Sequence, residues 1–254
     1  MPFIHVNDEE LFYAETSSPN ARLTMVLVHG AGENHLAWPA ELRRVDGVTV
    51  HALDLPGHGK SGGKGRSSVG DYVEVVRGFL DALNVERAVI TGHSMGGAIA
   101  QQFVLTWPTR TAGLILVATG AKLRVVPQIL EGILTDTEAT FDLVTRFAWG
   151  PNAPEQMVQL GRAQMADTRP EVTAGDYAAC DAFDVRERLG QITAPTLVIG
   201  GTADQMTPFK YAEFLAEKIS GAKLARIEGA GHMVMLEQPE LVARHMEQFL
   251  ATVL

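Results

Sequence analysis

Apolar residues recur along this chain in short runs, and most of these runs are apolar throughout. Runs of this kind are typical of strands that are covered on both faces. The six clearest, each bounded by turn-forming residues, are residues 24–29, 48–53, 88–91, 113–118, 196–200 and 223–227. Before them, residues 3–6 and 11–15 flank a polar Asn-Asp turn, which predicts a β-hairpin.

Between these runs, apolar residues recur at spacings of three and four, the period of an amphipathic helix. The segments with this pattern are residues 69–83, 98–107, 209–219 and 239–254. Strands that alternate with helices form a parallel sheet with helices on both faces. We therefore predict an α/β fold with a mostly parallel eight-stranded sheet.

One stretch breaks the alternation. Residues 121–187, called the cap segment below, contain helical patterns and no convincing strand, and they lie between two predicted strands. We therefore expect a core made of residues 1–120 and 188–254, with 121–187 as an inserted helical cap. The cap segment holds eleven acidic and six basic residues, so we expect it to disfavour strongly anionic substrates.

The sharpest chemical signal is Gly92-His-Ser94-Met-Gly96, which follows a predicted strand and opens a predicted helix. An abrupt turn from strand to helix strains the residue at its apex, and small neighbours make room for that turn. This geometry exposes the Ser94 hydroxyl and directs the N–H of Met95 to the same point. The pattern predicts Ser94 as a nucleophile.

A serine hydroxyl needs a base, and the base needs an anion that orients it. Of the eight histidines, His232 follows a predicted strand in Gly229-Ala-Gly231, at the sheet edge where Ser94 lies. Asp204 follows another strand at that edge. The chain order Ser94, Asp204, His232 is the order expected for this type of turn.

The remaining histidines have less specific surroundings. We expect His29 to bond to nearby backbone, His5 and His51 to pack within strands, and His245 to lie at the surface.

An oxyanion hole requires a second backbone N–H beside that of Met95. His29-Gly30-Ala31-Gly32 follows a predicted strand and has small residues that let a carbonyl oxygen approach the backbone. We expect Ala31 to supply that donor.

Aromatic and methionine side chains are candidates for the wall of a substrate pocket, although packing within the protein explains each of them nearly as well. They are Trp38, Phe141, Phe147, Trp149, Met206 and Met233, with Tyr177, Phe183 and Met235 as further possibilities.

Charge and composition exclude several other functions. The net charge of −9 is the wrong sign for a surface that follows nucleic acid or anionic lipid. Cys180 is the only cysteine, which excludes a disulfide framework. No run approaches the roughly 18 apolar residues of a membrane span, and the first ten residues do not resemble a secretory signal, so we expect a cytoplasmic protein.

The sequence does not fit the glycine motifs of nucleotide-binding loops or the usual metal-binding motifs. Gly57-His-Gly59-Lys-Ser-Gly62 has the spacing of a dinucleotide-binding loop, but Pro56 separates it from the strand and no helix pattern follows. The same run lacks the first glycine of a phosphate-binding loop, because Asp54 stands there. We expect no metal and no cofactor; the oligomeric state stays open.

Taken together, these motifs resemble the α/β-hydrolase superfamily over nearly the whole chain. The further motifs that carry the resemblance are His29-Gly30, Asp54-Leu-Pro-Gly57-His-Gly59-Lys-Ser61, Ala194-Pro195 before a strand, and Gly231-His232 followed by Glu237-Gln-Pro239. The resemblance is greatest to small bacterial carboxylesterases, lactonases of the 3-oxoadipate enol-lactonase kind and cofactor-free haloperoxidase-like enzymes. It implies a Ser94/Asp204/His232 triad and a helical cap.

The expected function is hydrolysis of a small, largely apolar carboxylic ester or lactone. Two alternatives remain. The same triad could hydrolyse a carbon–carbon bond of a ring-cleavage diketone, or the chain could be a hydrolase-derived receptor that holds a small molecule.

Overall fold

The computed structural model describes residues 2–253 and contains one mixed sheet of eight strands. The strands are β1 (Phe3–Val6), β2 (Glu9–Ser17), β3 (Leu23–Val28), β4 (Val48–Leu53), β5 (Ala88–His93), β6 (Thr111–Val117), β7 (Thr196–Gly201) and β8 (Lys223–Ile227). Their order in the sheet is β1-β2-β4-β3-β5-β6-β7-β8. β1 and β2 are antiparallel to their neighbours, whereas β3 to β8 pair in parallel.

Helices occupy most of the connections between strands. They are α1 (Ala40–Arg43), α2 (Val69–Ala82), α3 (Met95–Thr106), α4 (Pro127–Thr135), α5 (Thr137–Ala148), α6 (Glu155–Ala166), α7 (Pro170–Ala182), α8 (Lys210–Lys218), α9 (Val234–Glu237) and α10 (Pro239–Leu250). The predicted α/β fold with eight strands is confirmed. The predicted last helix ends earlier than expected, at Leu250, and its final position, Leu254, lies outside the described residues.

Both faces of the sheet are buried, which explains why its strands are apolar throughout. In β3, Val26 and Val28 face a core that includes α2, α3 and α8, whereas Met25 and Leu27 face a core that includes α1 and α10. Because successive side chains of a strand point to opposite faces, each residue of β3 needs an apolar partner.

The cap segment contains α4 to α7 and, within the described chain, no strand of the sheet. Its ends meet at an isolated β-bridge between Lys122 and Asp184. Its helices bury a small apolar cluster of their own: Ile129, Ile133, Phe141, Val144 and Tyr177. At its C-terminal end, Cys180 and Phe183 pack into the core beside α2 and α3. The segment is therefore attached to the core by a broad apolar contact.

The histidines in the strands differ from one another. His51 in β4 is 4% exposed and packs against Tyr13 and Phe79, as expected. The expectation for His5 was wrong: its side chain is 76% exposed, because the outer hairpin leaves that face of β1 uncovered. His245 in α10 is half-buried.

None of the helices among residues 2–253 has both the length and the apolar character needed to span a bilayer.

Candidate active site

Ser94 stands at the turn between β5 and α3 in a backbone conformation that non-glycine residues rarely adopt, with φ 49° and ψ −114°. A Cβ atom on Gly92 would lie 2.0 Å from the carbonyl oxygen of Gly96, and one on Gly96 would lie 2.1 Å from that of Val28. Any side chain larger than hydrogen would therefore force this turn apart. The two glycines permit the strained position of Ser94.

Hydrogen bonds hold the backbone of Ser94 on both sides. Its N–H donates to the carbonyl of Val117 over 3.0 Å. Its own carbonyl accepts from the N–H groups of Gly97 and Ala98 and from Thr119 Oγ1, the last over 2.8 Å. The turn is thus pinned to β6, so the position of the serine is set by the sheet.

Asp204 and His232 form a buried pair. Asp204 follows β7 and His232 follows β8, so both lie at the carboxyl edge of the parallel strands. Oδ2 of Asp204 is 2.9 Å from Nδ1 of His232. The carboxylate also accepts from the N–H groups of Met206 and Thr207 and from Thr207 Oγ1, each over 2.8 Å. With Nδ1 bound to the carboxylate, Nε2 is the nitrogen left to act as a base.

The electrostatics of this pair favour a charged histidine. Burial opposes charge on His232, but the attraction and hydrogen bond of Asp204 outweigh it and raise the pKa of His232 above its ordinary value. Burial likewise opposes ionisation of Asp204, yet His232 and Thr207 lower the pKa of this carboxyl below its ordinary value. The pair can therefore stabilise a proton on the imidazole while the carboxylate stays ionised.

In the loop after β3, the N–H of Ala31 lies between two amides that are hydrogen-bonded. Gly30 N donates to Glu33 Oε2 over 2.7 Å, and Gly32 N donates to Asp176 Oδ2 over 2.9 Å. Between them, the N–H of Ala31 has no hydrogen-bond partner among residues 2–253. The N–H of Met95 begins α3, where no helical carbonyl precedes it. Both amides have the properties expected of oxyanion donors.

His29 lies beneath this loop as a structural residue. Its Nδ1 bonds the carbonyl of Gly30 over 2.8 Å, and its Nε2 accepts from the N–H of Leu55 over 3.1 Å. Burial, with the nearby His58, lowers the pKa of His29 to about 4. It is therefore neutral near pH 7, as its two hydrogen bonds require.

A cavity of about 250 Å³ lies between the core and the cap segment, and its wall is mainly apolar. Ser94, His232 and Ala31 line it. The other lining residues are Glu33, Leu123, Arg124, Val125, Val126, Ile129, Leu143, Val144, Phe147, Ala148, Met165, Tyr177, Cys180, Gln205, Met206, Thr207, Tyr211 and Met233. An apolar cavity with few polar groups is typical of a small-molecule site.

Half of the six side chains that the sequence suggested for a substrate pocket line this cavity. Phe147, Met206 and Met233 line this cavity, as does Tyr177.

Trp38, Phe141 and Trp149 require correction, because none of them lines the cavity. Trp38 is completely buried in the core that also contains Leu42 of α1. Phe141 packs behind the wall, inside the cluster of the cap segment. Trp149 packs on α6, where a Cβ on Gly161 would lie 2.5 Å from its ring. The two further possibilities Phe183 and Met235 are buried in the two cores.

The acidic residues of the cap segment, from which we expect repulsion of anions, do not line the cavity. None of its eleven acidic residues contributes to the wall of the cavity, whereas Arg124 does. The carboxylates of these helices therefore lie outside the wall of the cavity.

Sequence reasoning missed a chain of contacts around His232. Glu33 Oε2 is 3.0 Å from Nδ1 of His93, and Nε2 of His93 is 3.1 Å from the carbonyl oxygen of His232. His93 lowers the pKa of Glu33 below its ordinary value, against the effect of burial. Two features of the sequence could have indicated these contacts: the charged Glu33 in the glycine-rich loop after β3, and His93 directly before Ser94.

The backbone of His232 is further fixed by neighbouring elements. Its N–H donates to the carbonyl of Ala148, at the end of α5, over 2.9 Å. The carboxylate of Glu237 accepts from the N–H groups of Gly231 and Gly150 over 3.0 and 3.1 Å. The loop carrying the histidine is therefore tied to the cap segment.

Within residues 2–253, no group of three or more His, Cys, Asp or Glu side chains is arranged to hold a metal ion.

Known proteins resemble this chain over most of its length. Residues 25–245 match the family described as the alpha/beta hydrolase family. The chain is 30% identical to a pimeloyl-[acyl-carrier protein] methyl ester esterase of Aliivibrio salmonicida, over 89% of this chain and 91% of that protein. It is 28% identical to a 2-hydroxy-6-oxo-6-phenylhexa-2,4-dienoate hydrolase of Comamonas testosteroni, over 96% and 92% of the two chains.

Solved structures agree with these relatives. A thermophilic esterase superposes with a TM-score of 0.89 at 34% identity, covering 99% of this chain and 97% of its own. The enol-lactonase from Burkholderia xenovorans LB400 superposes with a TM-score of 0.90 at 26% identity, covering 98% and 100%.

Proposed function

Because the chain belongs to the alpha/beta hydrolase family, we propose that it is a serine hydrolase that cleaves a small, largely apolar carboxylic ester or lactone. One observation carries the proposal. The strained Ser94 and the His232 of a buried Asp–His pair line the same mainly apolar cavity.

In the proposed reaction, Ser94 Oγ attacks the carbonyl carbon while Nε2 of His232 takes its proton. Asp204 keeps the ring in the required tautomer and stabilises the imidazolium that forms. His232 then gives the proton to the leaving alcohol, which leaves an acyl group on Ser94. Water attacks that acyl-enzyme by the same route and regenerates the serine.

The developing oxyanion is bound by the N–H groups of Ala31 and Met95. Both donors are preorganised, because one belongs to a loop whose neighbouring amides are already bound and the other to the first turn of a helix. Donors fixed before the reaction need no reorganisation in the transition state, which makes them effective.

The shape and lining of the cavity support the substrate class. Its wall consists mainly of apolar side chains, and residues 121–187 cover it as the cap of the α/β core. The thermophilic esterase, the methyl ester esterase and the enol-lactonase named above act on esters or lactones according to their names, which is consistent with such a substrate.

The serine mechanism is tested with Ser94→Ala. We expect this variant to lose hydrolysis of p-nitrophenyl butyrate by at least about 10⁴-fold, because the residues of such a triad act as a unit. Ser220→Ala, at an exposed serine between α8 and β8, is the matched control and should keep wild-type turnover. Wild-type hydrolysis by Ser94→Ala would show that the proposal is wrong.

A covalent label checks the same residue independently. A p-nitrophenyl phosphonate should release one equivalent of nitrophenol and leave its phosphorus on the peptide that contains Ser94. Repeated turnover of the butyrate ester also excludes the receptor alternative, which would give about one equivalent of product per chain.

Hydrolysis of a carbon–carbon bond is the second candidate. It is favoured by the likeness to the 2-hydroxy-6-oxo-6-phenylhexa-2,4-dienoate hydrolase of Comamonas testosteroni, which extends over 96% of this chain. The same serine and histidine would serve that reaction. Turnover of such a dienoate faster than turnover of any ester or lactone in a common panel would favour this second function.

A further inference from the structure

A buried carboxylate of the cap segment joins three separate elements of the core. Asp176, in α7, is completely buried. It accepts from Gly32 N over 2.9 Å, from Nε2 of His58 over 2.7 Å and from the hydroxyl of Tyr72 over 2.5 Å. These partners belong to the loop after β3, the loop after β4 and helix α2. Of these contacts, the proposed mechanism uses only the hydrogen bond from Gly32 N.

The partner of this carboxylate is a charged histidine. Nδ1 of His58 lies 3.1 Å from the carbonyl oxygen of Pro56, and its Nε2 lies 2.7 Å from Asp176. Neither a carbonyl nor a carboxylate can donate a hydrogen bond, so both ring nitrogens must carry hydrogen. Burial opposes this charge, but Asp176 outweighs it and raises the pKa of His58 above its ordinary value.

The cap segment forms hydrogen bonds to both the N–H and the carbonyl group of Gly32. Asp176 accepts from the N–H of this residue, and Thr168 Oγ1 donates to its carbonyl oxygen over 3.0 Å. Gly32 has a φ of +68°, and a Cβ there would lie 3.3 Å from Thr173 of α7. The residue directly after Ala31 therefore takes its orientation from the cap segment.

We propose that Asp176 is a positioning residue that holds Gly32 so that the preceding N–H of Ala31 is aimed at the oxyanion. This proposal rests on the role assigned to Ala31 under the proposed function. The imidazolium of His58 and the hydroxyl of Tyr72 fix the carboxylate, the carboxylate fixes Gly32, and Thr168 fixes the other side of the same residue. The cap segment thereby completes the oxyanion hole.

The energetics favour a role in positioning. Burying an ion pair is costly, and pairs of this kind often add little to stability compared with apolar residues of the same volume. Their benefit is a defined geometry, and a donor displaced by about 1 Å can lower a rate by about 10²-fold. A single buried pair that serves three elements provides such a geometry.

The experiment measures kcat and KM for p-nitrophenyl butyrate, the melting temperature, and inhibition by a trifluoromethyl ketone. This ketone forms an adduct with a serine hydroxyl that carries an oxyanion, so its affinity reports on the oxyanion hole. Asp176→Asn is the principal variant. Asp184→Asn is the matched control, because it removes a carboxylate of the same segment that binds Lys122 and Arg186.

For Asp176→Asn we expect kcat to fall about 10- to 100-fold, which does not exceed the fall expected when one oxyanion donor is lost completely. Affinity for the trifluoromethyl ketone should fall by the same factor, whereas KM should change less than about twofold, because ground-state binding does not use this donor. Asp184→Asn should keep wild-type values. A folded Asp176→Asn with wild-type kcat, or one whose loss is confined to KM, would overturn the proposal.

A second variant decides the question if Asp176→Asn lacks a cooperative unfolding transition. Thr168→Val conserves volume and removes only the hydroxyl that donates to Gly32. We expect kcat and inhibitor affinity to fall together, by about 3- to 10-fold. Wild-type values for both would refute the positioning role.

Ser94→Ala separates this inference from the function on which it rests. If Ser94→Ala is inactive and Asp176→Asn keeps wild-type kinetics, only the positioning role is refuted. If Ser94→Ala still hydrolyses the ester, the serine mechanism itself is refuted.

Discussion

At the scale of single residues, the contact between Asp204 and His232 determines how the site responds to pH. The carboxylate bonds Nδ1 of the ring over 2.9 Å and raises the pKa of His232, although burial opposes it. A general base must be neutral before it can accept a proton. The raised pKa therefore shifts the onset of activity toward higher pH.

We predict that kcat/KM for a neutral ester rises with pH through a midpoint above 6.5, the ordinary pKa of histidine. The measurement is a pH–rate profile of the free enzyme over a range in which the protein stays folded. His245→Gln, at a half-buried position in α10, should leave the midpoint unchanged. A midpoint at or below 6.5 would contradict the assignment of His232 as the base.

At the scale of elements, each group of the site lies where an element begins or ends. Asp204 and His232 follow β7 and β8, Ala31 follows β3, and Ser94 separates β5 from α3. Parallel strands bring their carboxyl ends to one edge, which is why residues far apart in the chain meet there. Helix α5 then supplies part of the opposite wall.

The two phenylalanines of α5 have different surroundings: one packs inside the cap segment and the other lines the cavity. Six residues of an α-helix correspond to about 600° of rotation, so Phe141 and Phe147 lie on different faces. Phe141 is 1% exposed inside the cap segment, whereas Phe147 is 39% exposed and lines the cavity. We therefore expect Phe141 to stabilise the segment and Phe147 to contact the substrate of the proposed reaction.

We predict opposite effects of two matched substitutions in this helix. Phe141→Ala should lower the free energy of unfolding by about 3–5 kcal/mol, because it leaves a cavity in a packed cluster. Phe147→Ala should leave the unfolding transition within about 0.5 kcal/mol of wild type and raise KM for p-nitrophenyl butyrate by about 3- to 10-fold. Denaturant unfolding and steady-state kinetics measure the two effects. An unchanged KM for Phe147→Ala would remove this residue from the substrate site.

At the scale of the whole molecule, the cavity exists only between two parts of the chain. The core contributes Ser94 and His232 to its lining, and the cap segment contributes most of the apolar wall. The acidic charge of the cap segment lies away from that wall. Under the proposed function we therefore expect the size of the substrate and its apolar contacts to determine the specificity.

We predict a strong preference for short acyl chains, because a cavity of about 250 Å³ falls below the usual range for drug-sized ligands. The value of kcat/KM for p-nitrophenyl butyrate should exceed that for the palmitate ester by at least about 100-fold. The octanoate and decanoate esters are also measured, below their solubility limits. A fall in kcat/KM along this series then reports poor fit of the acyl chain in the cavity and not poor solubility of the ester. Equal turnover of butyrate and palmitate would show that the cavity does not limit chain length.

Much of this arrangement was predictable from local sequence. Gly92 and Gly96 flank Ser94 because no Cβ fits at either position. A Cβ on Gly92 would meet Gly96, four residues further on, whereas a Cβ on Gly96 would meet the backbone of Val28 in the neighbouring strand β3. The strand and helix patterns predicted the α/β fold because each element buries its own apolar residues. The pocket aromatic residues were less predictable: Trp38 and Phe147 are both large aromatic residues, but only Phe147 lines the cavity.

Local patterns thus specify the strands and the helices, since each depends on residues close together in the chain, and the glycines around Ser94 mark its turn in the sequence, although neighbouring strands help to fix it. The lining of the cavity and the fixing of Ala31 depend on contacts across the fold. Asp176 bonds Gly32 from 144 positions away, and His93 contacts His232 from 139 positions away. No period or spacing encodes such pairs, because hydrogen bonds between distant residues form only when the packing of the sheet and the cap segment brings them together.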